Sequence, residues 1–242
     1  MVASPGRETV ARVLEGLHAA ANPERREKTR GYFPTSMEII GVAAPDQRRI
    51  LRPLARALRG APADEVLALA RALLDVHVHE ARQIAFELVG GRKDIVATLD
   101  GAAVEALGAG NDNWASVDAF CVSVSGQAWR DGAAVDADVR RWAASPDRWW
   151  RRTALVSTVP LNMKSRGGSG DAPRTVAVCR LLAADNDPMV AKGLSWALRS
   201  LAPVAPTAVS DFLAAHDHTL PSLVRREVRN KLDTGRKSGG RR

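Results

Sequence analysis

Caps followed by prolines punctuate this chain, and they leave room for little except short helices. Asn22-Pro23, Asp187-Pro188 and Ser4-Pro5 pair a capping side chain with a proline, and Pro45-Asp46, Pro62, Ser145-Pro146-Asp147, and Pro203 with Pro206 mark further starts. A side-chain oxygen satisfies the open amides of a first helical turn, and proline already has the φ that turn needs. Between the starts, apolar residues recur at three and four: Val10, Val13, Leu14 and Leu17, then Ile50, Leu51, Leu54 and Leu58, then Val66, Leu69 and Leu73. That is the helical period. The pattern predicts a helix over 79–89 stopped by Gly90-Gly91, short helices near 93–99 and 101–108, and longer ones over 113–125 and 133–143. A helix carrying Trp149 to Arg152 should stop at Pro160, with others following near 173–184, 187–201, after Pro206, and 220–232. Pro53 lies inside one of these segments and should kink or split it. The stretch 161–172, with Gly167, Gly168 and Gly170, is expected to be a flexible basic loop. It is no phosphate loop, because no strand precedes it and no Gly-Lys-Ser/Thr follows. No strand pattern is convincing.

Many short helices in series suggest stacked pairs, and a weak repeat supports this. Gln83-x-Ala85, Arg152-x-Ala154 and Lys192-x-Leu194 each sit early in a helix, Arg226-x-Val228 is a possible fourth, and Asp147 and Asp187 precede the middle two by five. The expected fold is therefore all-α, a superhelical solenoid of antiparallel helix pairs of HEAT type, as one domain over 1–232 with a basic tail at 233–242. Stacked pairs repeat the same positions along a concave wall, so the basic residues would line one face.

The charge agrees with such a wall. Lys and Arg total 35 against 27 Asp and Glu, a net charge of +8, which favours a polyanion as partner. Trp (6) outnumbers Phe (4) and Tyr (1), a weak sign of a recognition surface. Cys121 and Cys179 each lie in an apolar run and suit a reducing compartment better than a disulfide. With no apolar leader or span apparent, a cytoplasmic protein is expected, nucleoid-associated when on DNA, with no membrane role and no oligomer. His77-x-His79 and His216-x-His218 place their imidazoles on different helical faces without nearby ligands, so no metal and no cofactor is expected.

One constellation points to chemistry. Trp114 and Asp118 are four apart, which on a helix puts an indole beside a carboxylate. Trp149-Trp-Arg-Arg152-Thr-Ala-Leu and Lys192-Gly-Leu-Ser-Trp196-Ala-Leu-Arg199 follow. With Asn22-Pro-Glu, Tyr32 and the Ile40-Gly-Val-x-x-Pro45 turn, these segments resemble the HEAT-like DNA alkylation repair glycosylases, the AlkD family, in order from about residue 8 to about 232. Each motif alone is weak, and their order and spacing make them specific.

The resemblance implies hydrolytic removal of 3-methyladenine and 7-methylguanine from duplex DNA, without turning the base into a protein pocket. It implies Trp114, Asp118 and Trp196 as catalytic cleft residues, Arg152 as a phosphate contact and Tyr32 as a DNA-contacting aromatic. Lys192 and Arg199, basic residues of the Trp196 segment, complete the expected DNA-binding set. The chemistry is reasonable on its own terms. Alkylation at N3 or N7 makes the purine a cation and a good leaving group, so no general acid is required. An ionised Asp118 would stabilise the oxocarbenium-like sugar and place a water, and the two indoles offer cation–π attraction of about 0.5–2 kcal/mol each. The sequence departs from the family at Asn113 and Ala115, where a second Trp and an Asp are usual, and at Pro160, where a basic residue sometimes stands. Two alternatives stand beside this reading: a non-catalytic HEAT-like scaffold for nucleic acid or protein, and a family glycosylase specialised for bulky N3-adenine adducts.

Overall fold

The computed structural model describes residues 5–132 and 135–238. Among them the chain is helical throughout, without a strand; a single isolated parallel bridge joins Glu38 to Val78. Ser4 and the tail arginines Arg241 and Arg242 lie outside the described residues. The chain divides into two compact units, Met1–Val124 and Ser125–Arg242.

The N-terminal unit holds α1 (Pro5–Ala19), α2 (Pro23–Arg30), α3 (Ala44–Ala57), α4 (Ala63–Asp75), α5 (His79–Gly90), α6 (Lys93–Val96), α7 (Gly101–Gly108) and α8 (Trp114–Phe120). The C-terminal unit holds α9 (Gly126–Asp131), α10 (Asp136–Ala143), α11 (Arg148–Val156), α12 (Val159–Asn162), α13 (Ala172–Leu181), α14 (Pro188–Leu201), α15 (Pro206–His216) and α16 (Ser222–Thr234). The starts follow the caps. Asn22, Asp100, Asn113, Asp147, Asp171 and Asp187 each accept a first-turn amide with the side chain, a bond whose loss typically costs about 1 kcal/mol.

Packing has the period of a helical repeat. In the C-terminal unit, α10 pairs with α11, α13 with α14, and α15 with α16. The first helices stack in the order α10, α13, α15 and the second helices in the order α11, α14, α16. In the N-terminal unit α4 pairs with α5, α4 also packs on α7, and α3 and α8 both pack on α5. The fold is the all-α helical repeat that the cap spacing and the weak repeat predicted. The apolar stripes make the core: Val66, Leu69 and Leu73 of α4 and Val190, Leu194, Leu198 and Leu201 of α14 are buried.

Several local expectations need correction. No residue of α3 is buried: Ile50, Leu51 and Leu54 are half-covered, and Ile50 and Leu54 line an open cleft of about 990 Å³ with Val13, Leu58 and Leu69. Pro53 is exposed within α3 and does not split it, because on the solvent side water can take the carbonyl that proline leaves without a donor. The helix expected over 113–125 ends as α-helix at Phe120 and continues as a π-helical turn, Cys121–Ser125. Widening that turn presses the backbone of Ser123 onto Gly90 of α5, where a Cβ would stand 2.3 Å from the Ser123 carbonyl oxygen. Pro160 lies in the first turn of α12, after α11 has already ended at Val156. The loop after it is pinned: Gly168 N donates to Met163 O at 3.0 Å, Gly170 N to Leu161 O at 3.0 Å, and Asp171 N to Asn162 Oδ1 at 2.9 Å. The glycines expected to give flexibility serve close packing instead; a Cβ on Gly168 would stand 2.2 Å from the Pro160 carbonyl oxygen. Past α16, the Lys237 ammonium pairs with Glu227 at 3.4 Å.

Candidate DNA-facing site

In the N-terminal unit the site is built on the start of α8. Asn113 is fully buried and caps the helix, its Oδ1 accepting from Ser116 N at 2.9 Å. Its Nδ2 donates to Asp112 Oδ1 at 3.0 Å, Ser116 Oγ at 3.2 Å and Thr35 Oγ1 at 3.3 Å. Asp112 in turn accepts from Thr35 Oγ1 at 2.6 Å, from Ser36 Oγ at 2.7 Å and from Ser36 N at 2.5 Å. The loop that carries Tyr32 and Phe33 is thereby tied to the helix that carries Trp114 and Asp118. Partial burial works to raise the Asp112 pKa, but the bonds from Thr35, Ser36 and Asn113 prevail and hold the carboxyl below its ordinary value.

Trp114 is half-buried and meets two rings edge-on: Tyr32 at 5.3 Å and 86°, and Phe33 at 5.8 Å and 81°. Tyr32 is 70% exposed, an unusual amount for a tyrosine already in contact with two aromatic rings. Beneath them Phe33 packs on His79 at 5.2 Å, and His79 Nδ1 lies 3.3 Å from Ser116 Oγ. Burial lowers the His79 pKa against the opposing pull of Glu80 and Asp112, so the imidazole is a neutral spacer. Glu80 is buried too, and its carboxylate accepts the amides of Ile40, Gly41 and Val42 at 3.1, 2.7 and 3.2 Å, which fixes the turn before α3. Asp118 stands one turn beyond Trp114 on α8 and is half-buried.

The C-terminal unit holds the remaining candidates on α11 and α14. Arg152 is 4% exposed, and its Nη1 donates to Met189 O at 2.5 Å in the first turn of α14. Gly193 of α14 faces that side chain, and a Cβ there would stand in ordinary contact with Arg152 Cγ at 3.4 Å. Lys192 is exposed, and Trp196, one turn on, is half-buried. Arg199, expected to contact DNA, has its Nε donating to Ser195 Oγ at 3.1 Å and lying 3.6 Å from Glu227 Oε2. Burial lowers its pKa and Glu227 opposes the shift.

The structure also supplies a register that the sequence reading caught only in part. Helices α3, α5, α8, α11, α14 and α16 have as N-caps Ala43, Val78, Asn113, Asp147, Asp187 and Pro221. Five residues after each cap stand Arg48, Gln83, Asp118, Arg152, Lys192 and Arg226. The sequence shows Gln83, Arg152, Lys192 and Arg226 as a repeat, and the position of each cap adds Arg48 and Asp118 to it. Asp118 is the single acid of the series. Gln83 has its amide nitrogen buried without a hydrogen-bond partner. Asn113 was noted only as a departure from a family pattern, although Asn113-x-x-Ser116 is a capping spacing that could have identified its role.

Among the described residues no group of three or more His, Cys, Asp or Glu side chains could hold a metal, and no helix is long and apolar enough to cross a membrane. Fold and site together define a helical-repeat protein with one half-buried carboxylate in a recurrent register otherwise made of basic and amide side chains. The sequence matches the DNA alkylation repair enzyme family over residues 13–232, and the chain belongs to that family. A solved structure, a predicted DNA alkylation repair enzyme from Enterococcus faecalis, shares the fold with a TM-score of 0.67 at 19% identity, covering 88% of this chain and 97% of that one. No curated protein matches significantly.

Proposed function

We propose that this protein is a monofunctional DNA glycosylase that hydrolyses the N-glycosidic bond of cationic N3- and N7-alkylated purines in duplex DNA. The observation that carries the reading is Asp118: a half-buried carboxylate, one turn from a half-buried indole, at the register position that elsewhere holds Arg48, Gln83, Arg152, Lys192 and Arg226. In this reading the C1′–N bond breaks with its electron pair leaving on the purine, which departs neutral because it began as a cation. Asp118 stabilises the cationic sugar, water attacks C1′, and the carboxylate takes the proton that the water loses. Trp114 and Trp196 contribute cation–π attraction to positive charge on the base or sugar. Arg152 and Lys192 bind backbone phosphates, and Tyr32 provides an exposed aromatic surface against the DNA. No general acid is needed, and no strand cleavage follows.

The test is base release from a duplex containing a single 7-methylguanine, read as abasic sites by alkaline cleavage. Release by the wild type should fall in Asp118→Asn by on the order of 10²-fold or more, the scale of losing one electrostatic stabiliser of a transition state. Equal release by the two proteins would remove Asp118 from the chemistry. No release by the wild type, with duplex binding retained, would overturn the small-lesion reading; release of a bulky N3-adenine adduct would then mark a specialised glycosylase, and no release of either a scaffold.

A further inference from the structure

An exposed arginine on a helix is ordinarily just solvated, so exposure singles out none of the cations of this basic chain. Two other observations do. The first is register: Arg226 occupies on α16 the position that Arg152 occupies on α11 and Lys192 on α14, and these three helices pack successively on one another. The second is occupancy. On α11, the cations out of register are taken: Arg148 reaches Asp187 at 3.4 Å and Arg151 pairs with Asp185 at 2.7 Å. On α14, Arg199 is taken by Ser195 and Glu227 at 3.1 and 3.6 Å. On α16, Arg225 donates to Asp217 O at 3.0 Å, Arg229 Nη2 bonds Asp217 Oδ1 at 2.5 Å, and Lys231 donates to Gly235 O at 2.6 Å. Lys192 and Arg226 remain, with no side-chain hydrogen bond or ion pair among the described residues, and both are exposed. The C-terminal unit thus meets its other α14 and α16 cations internally and leaves these two, at the same register, for an anion outside the chain. In the N-terminal unit Arg48 has the same register on α3 and is likewise exposed without such a contact, while its neighbour Arg49 pairs with Asp46 at 2.8 Å.

We infer that Arg226 and Arg48, the last and first members of the register series, are further phosphate contacts for duplex DNA. This extends the contact set of the proposed function from the middle of the series to its ends, and it rests on that reading only in taking the polyanion to be DNA. Each side chain would neutralise one backbone phosphate, which adds affinity without reading sequence.

The experiment measures binding of a labelled, undamaged duplex by fluorescence anisotropy between roughly 50 and 200 mM salt. Arg226→Ala and Arg48→Ala should each flatten the slope of log K against log salt by about 0.9, the value for one phosphate. The wild type then loses about 3.5-fold more affinity across that range than either variant. Arg226→Lys should keep the wild-type slope. Arg225→Ala and Arg49→Ala remove the same charge one residue away, out of register and already paired, and should leave the slope unchanged. An unchanged slope in Arg226→Ala overturns the inference, as does equal flattening by Arg225→Ala, which would reveal only diffuse charge. Circular dichroism confirms that each variant is folded. Because the duplex carries no lesion, a wild type that binds as described yet releases no 7-methylguanine would sink the catalytic reading and leave this inference standing.

Discussion

At the scale of single residues, the proposed reacting group and its support are of different kinds. Asp118 is half-buried, whereas Asn113 and Ser116, which bond each other at the start of its helix, are fully buried. Asp112 accepts from Asn113, and its lowered pKa makes it a source of pH-dependent stability. The folded state binds fewer protons there than the unfolded chain, whose carboxyl titrates near pH 4. Its contribution is therefore present above about pH 4 and is lost as pH falls through the lower, folded value. Asp112→Asn should lower the melting temperature clearly at pH 7, and the gap to the wild type should narrow at pH 3. A gap that stays constant over that range would show that the charge of Asp112 is not what matters. The sequence made Trp114, Asp118, Arg152 and Trp196 legible as a set, because spacing on a helix and a family pattern both reach them. It did not make Asn113 legible as the tie between α8 and the loop that carries Tyr32, because Thr35, which its Nδ2 reaches, is far away in the chain.

At the scale of elements, the helix starts were readable and some of the packing was not. Cap and proline chemistry is local, so α2 and α14 begin where Asn22-Pro23 and Asp187-Pro188 said they would. The π-helical turn after α8 depends on how α5 lies against it, which no local signal reports. Gly90 is the visible trace of that contact. Gly90→Ala would place a methyl group 2.3 Å from the Ser123 carbonyl oxygen, with backbone rather than a movable side chain in the way. Overpacking of this kind typically costs about 1–3 kcal/mol, which should appear as a lower urea midpoint with little change in m-value. A wild-type midpoint would mean that the π-helical turn relaxes without cost. The apolar stripe of α3 is the opposite case: the period was right, yet no residue of the helix is buried, because helical spacing tells which residues share a face and not how completely a neighbour covers it.

At the scale of the whole molecule, each compact unit contributes three positions of one register, Arg48, Gln83 and Asp118 in the first and Arg152, Lys192 and Arg226 in the second. The same backbone plan therefore delivers an acid at one position and cations at four others, and the chemistry lies in the choice of side chain at a fixed step. The two cysteines lie away from that series. Cys121 and Cys179 are both fully buried, neither is in a disulfide, and burial pushes the Cys179 thiol far above its ordinary value. Native protein should resist labelling by a thiol reagent such as N-ethylmaleimide and take up two equivalents only after denaturation; labelling of the folded protein would show that the core opens readily. The reagents that methylate purine N7 also attack thiolates, so a cell's exposure to them threatens enzymes as well as bases. A glycosylase of the proposed kind, with both thiols covered by its core, would keep working in the chemical conditions that create its substrate.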